Sequence, residues 1–508
     1  MRELVNALPP EGAGSYTLKR RLAPEKLGRY RLFLVLTLGF CLLLVDGFLL
    51  YGPAAGLTAT VFAWYALFLA WCGWGILERR SSRVLLLANL FLALTMALGS
   101  NWYFRYWNLL ACAVLLPVQI MAGAASRPWW DPWMLWERCG LLLRGLFGNL
   151  WAPFAALVPG KRSDEANKRT LTVVLGLCGA LVLVSVLLPV LISADALFAA
   201  STVQLQRCIR MLHFSDVFQR LFWALVFTPF VFGLLYALAH PKLLCPPEEK
   251  KVPQADALGF VLALAAVDVL YLAFLAVQSA GLFGGPEYVE GLGVSYADWA
   301  RSGFFQMVGV TVVNLSLTLA ALNLSRRERR DWTVLRGLCA LLVGESLILL
   351  VSAAWKMTLY VSAYGLSFKR CMTYWGMGMM ALFLLLGLWK AKEPDFRYCK
   401  WAFPLALAGW LAINCVPVDY LVAKNQVDRY LSGESAAVSV QYLAYSLSFD
   451  TLSQLDRLDG GKPVAHYDGN GNGETLAELL ERRRNSAQAQ CRNWRSWSLS
   501  ACLAAGRR

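Results

Sequence analysis

Two acidic residues stand near the middle of long apolar runs, where ionisable side chains are rare. Asp268 lies within the run 257–278, and Glu345 lies within the run 333–354. A charge at the centre of a membrane span costs roughly 2.5–3.5 kcal/mol on insertion scales, so both side chains should face a bundle interior, protonated or paired. A carboxyl in this position can relay a proton or an ion, or it can simply hydrogen-bond between helices. The sequence leaves both roles open.

A third acidic residue in an apolar run, Asp46, has a less demanding position. It lies close to one end of the run 32–51, so its carboxylate can reach the membrane surface at little cost. Together with Asp268 and Glu345, it completes the predicted set of intramembrane polar candidates.

A stripe of polar residues continues from the run that holds Glu345. Ser352, Lys356, Tyr360 and Tyr364 recur every four residues, which places them on one slowly drifting face of a helix. Glu345 shares that face, about 16 Å from Lys356 at 1.5 Å per residue. The simpler interpretation is a lysine that reaches towards water and tyrosines of an interfacial belt.

Asp298 and Arg301 precede another apolar run, at the membrane surface that the stripe also reaches. They are three residues apart, so they share one side of a helix. One hypothesis is a pocket in which Asp298 pairs with Lys356 or Arg301. Tyr360 and Tyr364 would line its wall, and the remaining cations would meet an anionic headgroup or solute. The alternative is a structural ion-pair cluster.

Motifs of soluble enzymes and metal sites are missing from the chain. No HExxH, GxSxG or GxGxxG pattern occurs in a suitable setting, and the three histidines are scattered. The loop that begins at Asp468 resembles a calcium loop, but its twelfth position is Leu479 and not glutamate, which favours a flexible turn. The thirteen cysteines show no CxxC pair and suggest no disulfide framework. We therefore expect no metal and no cofactor.

The elements that must position these residues are membrane-spanning helices. Apolar residues make up 58% of the chain and charged residues only 16%, which excludes an ordinary soluble protein. A span needs about 20 apolar residues, and its backbone must be hydrogen-bonded within the segment, which favours helices. The sequence predicts an all-α polytopic bundle with about eleven spans, at 32–51, 57–77, 84–101, 103–123, 171–192, 221–239, 257–278, 304–323, 333–354, 371–389 and 401–416.

The distribution of lysine and arginine predicts the orientation of these spans. Basic residues concentrate in alternate loops, which are expected to be cytoplasmic: 78–83, 124–170, 240–256, 324–332 and 390–400. The N-terminus would then lie inside, and an odd number of spans would place the C-terminus outside the cytoplasm. Basic residues in such short clusters do not indicate nucleic-acid binding.

The regions between the spans define the predicted domain organisation. Residues 127–154 and 197–220 are amphipathic, which is typical of helices that lie in the membrane interface. The predicted regions are a basic N-terminal arm (1–31), four spans (32–123), a cytoplasmic interfacial helix with a basic loop (124–170), seven further spans (171–416), and a small, mostly helical extracytoplasmic region (417–508).

Several short stretches carry a resemblance to a known family. Residues 352–370 read SAAWKMTLYVSAYGLSFKR, and the further stretches are LISADALF at 191–198, YADWARSGFF at 296–305, VD at 418–419, NQVDRY at 425–430 and NWRSWSL at 493–499. Together they resemble the bacterial membrane-protein family known as domain of unknown function 4173, with 4153 as its relative. The family more often has arginine at Lys356 and asparagine at Ser498. The resemblance implies a multi-pass protein of the bacterial inner membrane and implies no activity.

Two classes of function remain open. The first, slightly favoured because no catalytic motif and no broken-helix pair is evident, is a non-catalytic membrane module such as a transport accessory or signalling partner. The second is a proton- or ion-coupled transporter, or a membrane-embedded enzyme, that uses Asp268, Glu345 or both. The expected partners are the lipid bilayer and a membrane or extracytoplasmic protein, without nucleic acid and with an unidentified small-molecule substrate.

Overall fold

The computed structural model describes most of the chain, and its regular elements are helices. The described residues are 27–49, 52–123, 125, 127–131, 133–157, 176, 215–240, 255–282, 304–327, 331–469 and 473–506. Across these ranges no strand is formed, so the predicted all-α class is confirmed. The helices discussed below are α1 Leu27–Leu44, α2 Ala55–Cys72, α3 Arg80–Leu98, α4 Trp102–Ile120, α5 Met134–Gly148, α6 Ala152–Leu157, α7 Ser215–Ala239, α8 Ala257–Leu282, α9 Phe304–Leu324, α10 Asp331–Tyr364, α11 Phe368–Lys392, α12 Tyr398–Asn414, α13 Val418–Leu431, α14 Leu452–Leu455, α15 Val464–Asp468, α16 Leu476–Arg492 and α17 Leu499–Gly506.

Seven of the described helices are long and apolar enough to cross a membrane. They are Leu27–Leu49, Ala55–Cys72, Arg80–Leu98, Gln219–Ala239, Ala257–Ala276, Asp331–Tyr364 and Phe368–Lys392. Helices α12 and α13, which meet at a bend of 52°, make an eighth if they are counted as one span. Hydrocarbon offers no hydrogen-bond partners, and a helix satisfies its backbone groups internally, so apolar helices of this length can cross it. A chain with this many of them is a membrane protein.

The remaining predicted spans have different outcomes. The run 103–123 forms α4 and the run 304–323 forms α9, but neither is among the seven. The run 171–192 lies outside the described residues except for Gly176. The count of about eleven therefore stays a prediction, while the helical character of the other runs is observed.

The chain divides into two compact units. The first consists of Met1–Asp46, Ala63–Ile76 and Gly140–Leu244. Its described part is organised around Trp71, which is buried and whose indole Nε1 donates to the carbonyl oxygen of Leu235 at 2.6 Å. The ring of Phe33 meets Trp71 edge-on with centroids 4.1 Å apart. An aromatic ring with its polar group hydrogen-bonded is a favourable way to join helices α1, α2 and α7.

The second unit consists of Gly47–Phe62, Leu77–Cys139 and Cys245–Arg508. Its longest element is α10, which packs along α8, α9 and α11. The 34 residues of α10 extend over about 51 Å, well beyond the roughly 30 Å of a hydrocarbon core. One end of α10 must therefore project from the membrane.

The amphipathic stretch 127–154 contains α5 and α6. Along α5, the side chains of Trp136 and Phe147 are 75% and 55% exposed, whereas Arg138 is buried and donates to the carbonyl oxygen of Val118. Leu141 on the same helix is also buried and Arg144 is exposed, so both faces are mixed, and the interfacial position of this stretch stays a prediction. The second predicted stretch is 197–220. Its residues up to 214 lie outside the described residues, and 215–220 form the beginning of α7.

The last ninety residues form their own small helical core. Tyr467, Leu455 and Val422 are almost completely buried in it. Helix α16 begins with a reciprocal capping box between Thr475 and Glu478, which satisfies two of its free amides.

A disulfide between Cys491 and Cys502 joins α16 to α17, although no disulfide framework was expected from the sequence. Both of its cysteines lie beyond the last apolar run, and this position is the signal that distinguishes them from the cysteines buried in the spans.

The backbones of two glycines in the second unit pack directly against each other. A Cβ on Gly47 would lie 2.7 Å from the carbonyl oxygen of Gly56, and a Cβ on Gly56 would also overlap Gly47. Small residues permit this approach between membrane helices. By contrast, a Cβ on Gly39 in α1 would meet nothing within 4 Å.

We therefore expect Gly56→Ala to lower the thermal unfolding temperature of the protein in detergent, at a cost of about 1–3 kcal/mol for overpacking. Gly39→Ala is the matched control, and it should leave the unfolding temperature unchanged or raise it, because alanine is the better helix former. Tryptophan fluorescence during heating measures both variants. Equal unfolding temperatures for the two would contradict the close packing at Gly56.

Candidate functional site

Asp268 on α8 and Glu345 on α10 are both buried in the second unit, each with 2% of its surface exposed. No described residue hydrogen-bonds to either oxygen of either carboxyl group. The two carboxyls lie within electrostatic range of each other, and the thiol of Cys339 is within range of Asp268. The structure thus brings together the two acids that the sequence singled out, on helices that pack side by side.

A chain of hydrogen bonds beside the acids ties three helices together. The hydroxyl of Tyr271 on α8 donates to Asn314 Oδ1 on α9 at 3.2 Å. Asn314 Nδ2 then donates to Ser346 Oγ on α10 at 2.9 Å, and Ser346 Oγ donates to the carbonyl oxygen of Leu342 at 2.8 Å. Because such bonds hold the rotation of each helix, they set the direction in which the neighbouring acids point.

The pattern of exposed and buried residues along α8 agrees with a buried position for Asp268. Val269 and Leu270 are 66% exposed and lie on the face that is free for lipid. Asp268 and Leu264, four residues apart, share the opposite buried face. The same spacing places Tyr271 near Asp268, and Ser346 directly follows Glu345. Neither residue was singled out from the sequence, although this proximity to the acids was the available signal.

This arrangement favours exchange of a small cation, because an isolated carboxylate without a donor is costly in a medium of low dielectric constant. A proton or a metal ion must accompany each buried negative charge. Among the described residues no cluster of three or more histidine, cysteine, aspartate or glutamate side chains occurs.

Asp46 has a different environment from the two midplane acids. Its Oδ1 lies 3.1 Å from Arg220 Nε, within the first unit. The ion pair joins the end of α1 to the beginning of α7, and both side chains remain partly exposed. Asp46 is thus a paired acid near a helix end, and the predicted low cost of its position has a structural explanation.

The polar stripe on α10 is present. Ser352 and Tyr360 are buried, Tyr364 is 48% exposed, and the rings of Tyr360 and Tyr364 lie 5.1 Å apart. The guanidinium of Arg370 lies over the ring of Tyr360 at 4.1 Å and 5.9 Å from that of Tyr364. The two tyrosine rings are therefore adjacent, with Arg370 stacked on Tyr360, and their place in a pocket wall stays a prediction.

The other half of the predicted surface pocket cannot be placed in the same way. Asp298 and Arg301 lie outside the described residues, so the pairing of Asp298 with Lys356 stays a prediction. Lys356 itself is half-buried and lies within the candidate span Asp331–Tyr364.

Two of the family-like stretches meet at the turn between α10 and α11. Gly365 has φ +71°, and a Cβ there would lie 2.9 Å from Gln426 Nε2. Asn425 Oδ1 accepts from the amide of Leu366 at 2.8 Å, and Gln426 Nε2 donates to the carbonyl oxygen of Leu366 at 2.6 Å. Glycine is required here both for its backbone conformation and for the approach of α13. The stretches 352–370 and 425–430 thus have a common structural role: together they clamp one turn.

The clamp provides a test in which one acceptor atom is removed. Asn425→Ala should increase deuterium exchange at the amides of 365–368, because the Leu366 amide loses its partner at a cost of about 1–3 kcal/mol. Asn425→Asp keeps a carboxylate oxygen in the same place and should retain the protection. Peptide-resolved exchange by mass spectrometry measures both. Equal exchange in the alanine variant and the unaltered protein would show that the clamp contributes nothing.

Comparison with known proteins places the chain in a family without assigning an activity. Residues 86–458, well over half of the chain, match DUF4153, described as a domain of unknown function. This is the relative of the family expected from the motifs, and 4173 itself is not matched. No curated protein and no solved structure matches the chain. The chain is accordingly a member of the DUF4153 family.

Proposed function

We propose that this membrane protein is a proton-coupled transporter in which Asp268 and Glu345 take up and release protons. The observation that carries the proposal is the pair of buried carboxyls, adjacent on α8 and α10, that accept no hydrogen bond from any described residue. Polar side chains that only join helices are expected to find hydrogen-bond partners, as Asn314 and Ser346 do nearby. An intramembrane acid without such a donor is a strong candidate for a proton pathway.

The pairing of the two acids supports proton transfer more than a single acid does. Two carboxylates in one site of low dielectric constant repel each other, so the pair favours sharing a proton. Transfer between them moves a proton along the seam of α8 and α10 without placing two charges in the membrane at once. Coupled groups of this kind titrate as one pair.

A second candidate is a non-catalytic membrane module, such as a transport accessory or signalling partner. The observation that favours it is the compact C-terminal core with its disulfide, which offers a rigid surface for a membrane or extracytoplasmic protein. In this alternative, the acids on α8 and α10 would be structural and the tail would carry the function.

We further propose a bacterial inner-membrane location with the N-terminus in the cytoplasm and the C-terminus outside. The lysine and arginine distribution supports this orientation. The Cys491–Cys502 disulfide supports it independently, because disulfides persist mainly in oxidising compartments.

Reaction with a hydrophobic carbodiimide tests the acids without knowledge of the substrate, because this reagent modifies protonated carboxyls in apolar surroundings. In the purified full chain, mass spectrometry should find adducts on Asp268 or Glu345. The ion-paired Asp46 is the internal control and should stay unmodified.

The same acids should control proton movement. In liposomes that contain a pH-sensitive dye and carry an imposed potential, the double variant Asp268→Asn and Glu345→Gln should lower proton flux at least tenfold. The amides preserve shape and hydrogen bonding, so the variants should elute as folded protein. An unchanged flux, or the absence of adducts on both acids, would rule out the proton role and leave the non-catalytic module.

The orientation can be tested by cysteine labelling in intact cells, in a background that retains only Cys491 and Cys502. Asn470→Cys should react with a membrane-impermeant maleimide from outside, because it follows the last span. Ser81→Cys, in the basic loop 78–83, is the control and should react only after permeabilisation. Labelling of Asn470→Cys only after permeabilisation would overturn the proposed orientation.

A further inference from the structure

A cavity with both apolar and charged side chains in its lining lies where α3 ends, α4 begins and α12 passes into α13, all within the second unit. Its volume is about 360 Å³. Its lining includes three charged side chains, Arg105, Asp419 and Asp450, together with apolar groups such as Phe91 and Leu98. None of these residues belongs to the proton site on α8 and α10.

Asp419 is the most deeply buried of the charged groups, with 4% of its surface exposed. Its Oδ2 accepts two hydrogen bonds, from Asn101 Nδ2 at 2.8 Å and from the amide of Ser448 at 3.0 Å. Its Oδ1 is buried and accepts none from the described chain. One oxygen therefore holds the carboxylate in place, while the other has almost no accessible surface and no donor among the described residues.

Arg105 presents the complementary situation on α4. Its Nε donates to the carbonyl oxygen of Gly99 at 3.0 Å, which fixes the guanidinium. Its Nη2 is buried without an acceptor in the described residues, and no ion pair there joins it to Asp419. Two opposite charges thus line one cavity without contacting each other. Unpaired buried charges are costly, and a ligand that meets both would offset that cost.

Asp450 gives the cavity a second negative charge. Its two oxygens accept from Ser500 Oγ at 2.6 Å and from Ser448 Oγ at 3.1 Å, so it needs no further donor. Its negative charge acts on Asp419. With two carboxylates and one guanidinium, the cavity favours a ligand whose cationic group lies at Asp419.

We propose that this cavity binds a small zwitterion, and that small movements of the two side chains bring Asp419 Oδ1 to its primary ammonium and Arg105 Nη2 to its anionic group. The site is separate from the proposed proton function and does not depend on it. The ammonium supplies the N–H donors that the free carboxylate oxygen lacks, and the anion accepts from the guanidinium. The volume suits a molecule of the size of phosphoethanolamine.

This chemistry has two sources, a free solute or the headgroup of an aminophospholipid. The first turns of α4 expose Trp102, Tyr106 and Trp107, and exposed aromatic residues of this kind favour the membrane–water interface. The cavity begins at the same end of α4, so both a lipid headgroup and a water-soluble zwitterion have access at that depth.

The test uses the full chain in detergent, with free O-phosphoethanolamine as the probe and isothermal titration as the measurement. Phosphocholine is the matched ligand control, because its quaternary ammonium has no N–H to donate. Asp419→Asn should weaken phosphoethanolamine binding at least tenfold, since the amide keeps an oxygen for Asn101 and Ser448 but faces the ammonium with a donor. Arg105→Gln should weaken it similarly. Asp428→Asn removes the same charge from the exposed face of the same helix and should bind normally.

The lipid source is tested by native mass spectrometry of the chain in nanodiscs with equal phosphatidylethanolamine and phosphatidylcholine. Retention of phosphatidylethanolamine that Asp419→Asn abolishes supports the site with a lipid headgroup as ligand. Binding of free phosphoethanolamine with the same variant dependence supports it with a solute. Thermal unfolding confirms that each variant is folded; if Arg105→Gln is not, Arg105→Lys replaces it and should weaken binding by the loss of the fixed Nη2 donor. The proposal is overturned if neither probe binds, or if the unaltered chain and the folded Asp419→Asn variant bind equally.

Discussion

Hydrocarbon supplies no hydrogen-bond partner, and the described structure depends on how each polar group in the membrane is nevertheless satisfied. The backbone is satisfied by helices throughout. Side chains are satisfied by neighbours: Trp71 by a carbonyl, Asp46 by Arg220 and Asn314 by Ser346. Asp268 and Glu345 differ from these groups, because no described residue hydrogen-bonds to either oxygen of either carboxyl. A group left unsatisfied at this cost needs a partner that arrives from outside the protein, and a proton is the smallest one.

The family-like motifs concern architecture more than chemistry. The glycine at position 365 permits a left-handed backbone, and Asn425 and Gln426 from α13 then hold the turn by its backbone groups. Arg370 closes the same turn by stacking on Tyr360. A side chain that hydrogen-bonds to backbone groups must be of a given length and type, which accounts for a motif without requiring catalysis. The clamp instead holds α10 at a fixed angle to α11.

The sequence was informative where a property depends on one helix alone. Apolar runs located most helices, and the insertion cost of a charge correctly predicted that Asp268 and Glu345 are buried. It was uninformative where a property depends on two distant segments. The partner of Asp46 is Arg220, and the acceptor for Tyr271 is Asn314. Neither pairing follows from periodicity, because periodicity defines one face of a helix but not the residues that pack against that face. The Cys491–Cys502 pairing likewise required the relative position of α16 and α17.

The length of α10 connects the buried acid with the clamped turn. Glu345 and Tyr360 are fifteen residues apart on one helix without proline, so they are separated by about 22 Å of continuous hydrogen-bonded backbone. A helix of this kind moves as a unit, so a displacement of α10 at Glu345 is transmitted to the turn at Gly365, which Asn425 and Gln426 of α13 hold. The clamp therefore resists opening of the seam that holds the acids. In the proposed transporter, the strength of that turn would set part of the barrier to exposing the two acids.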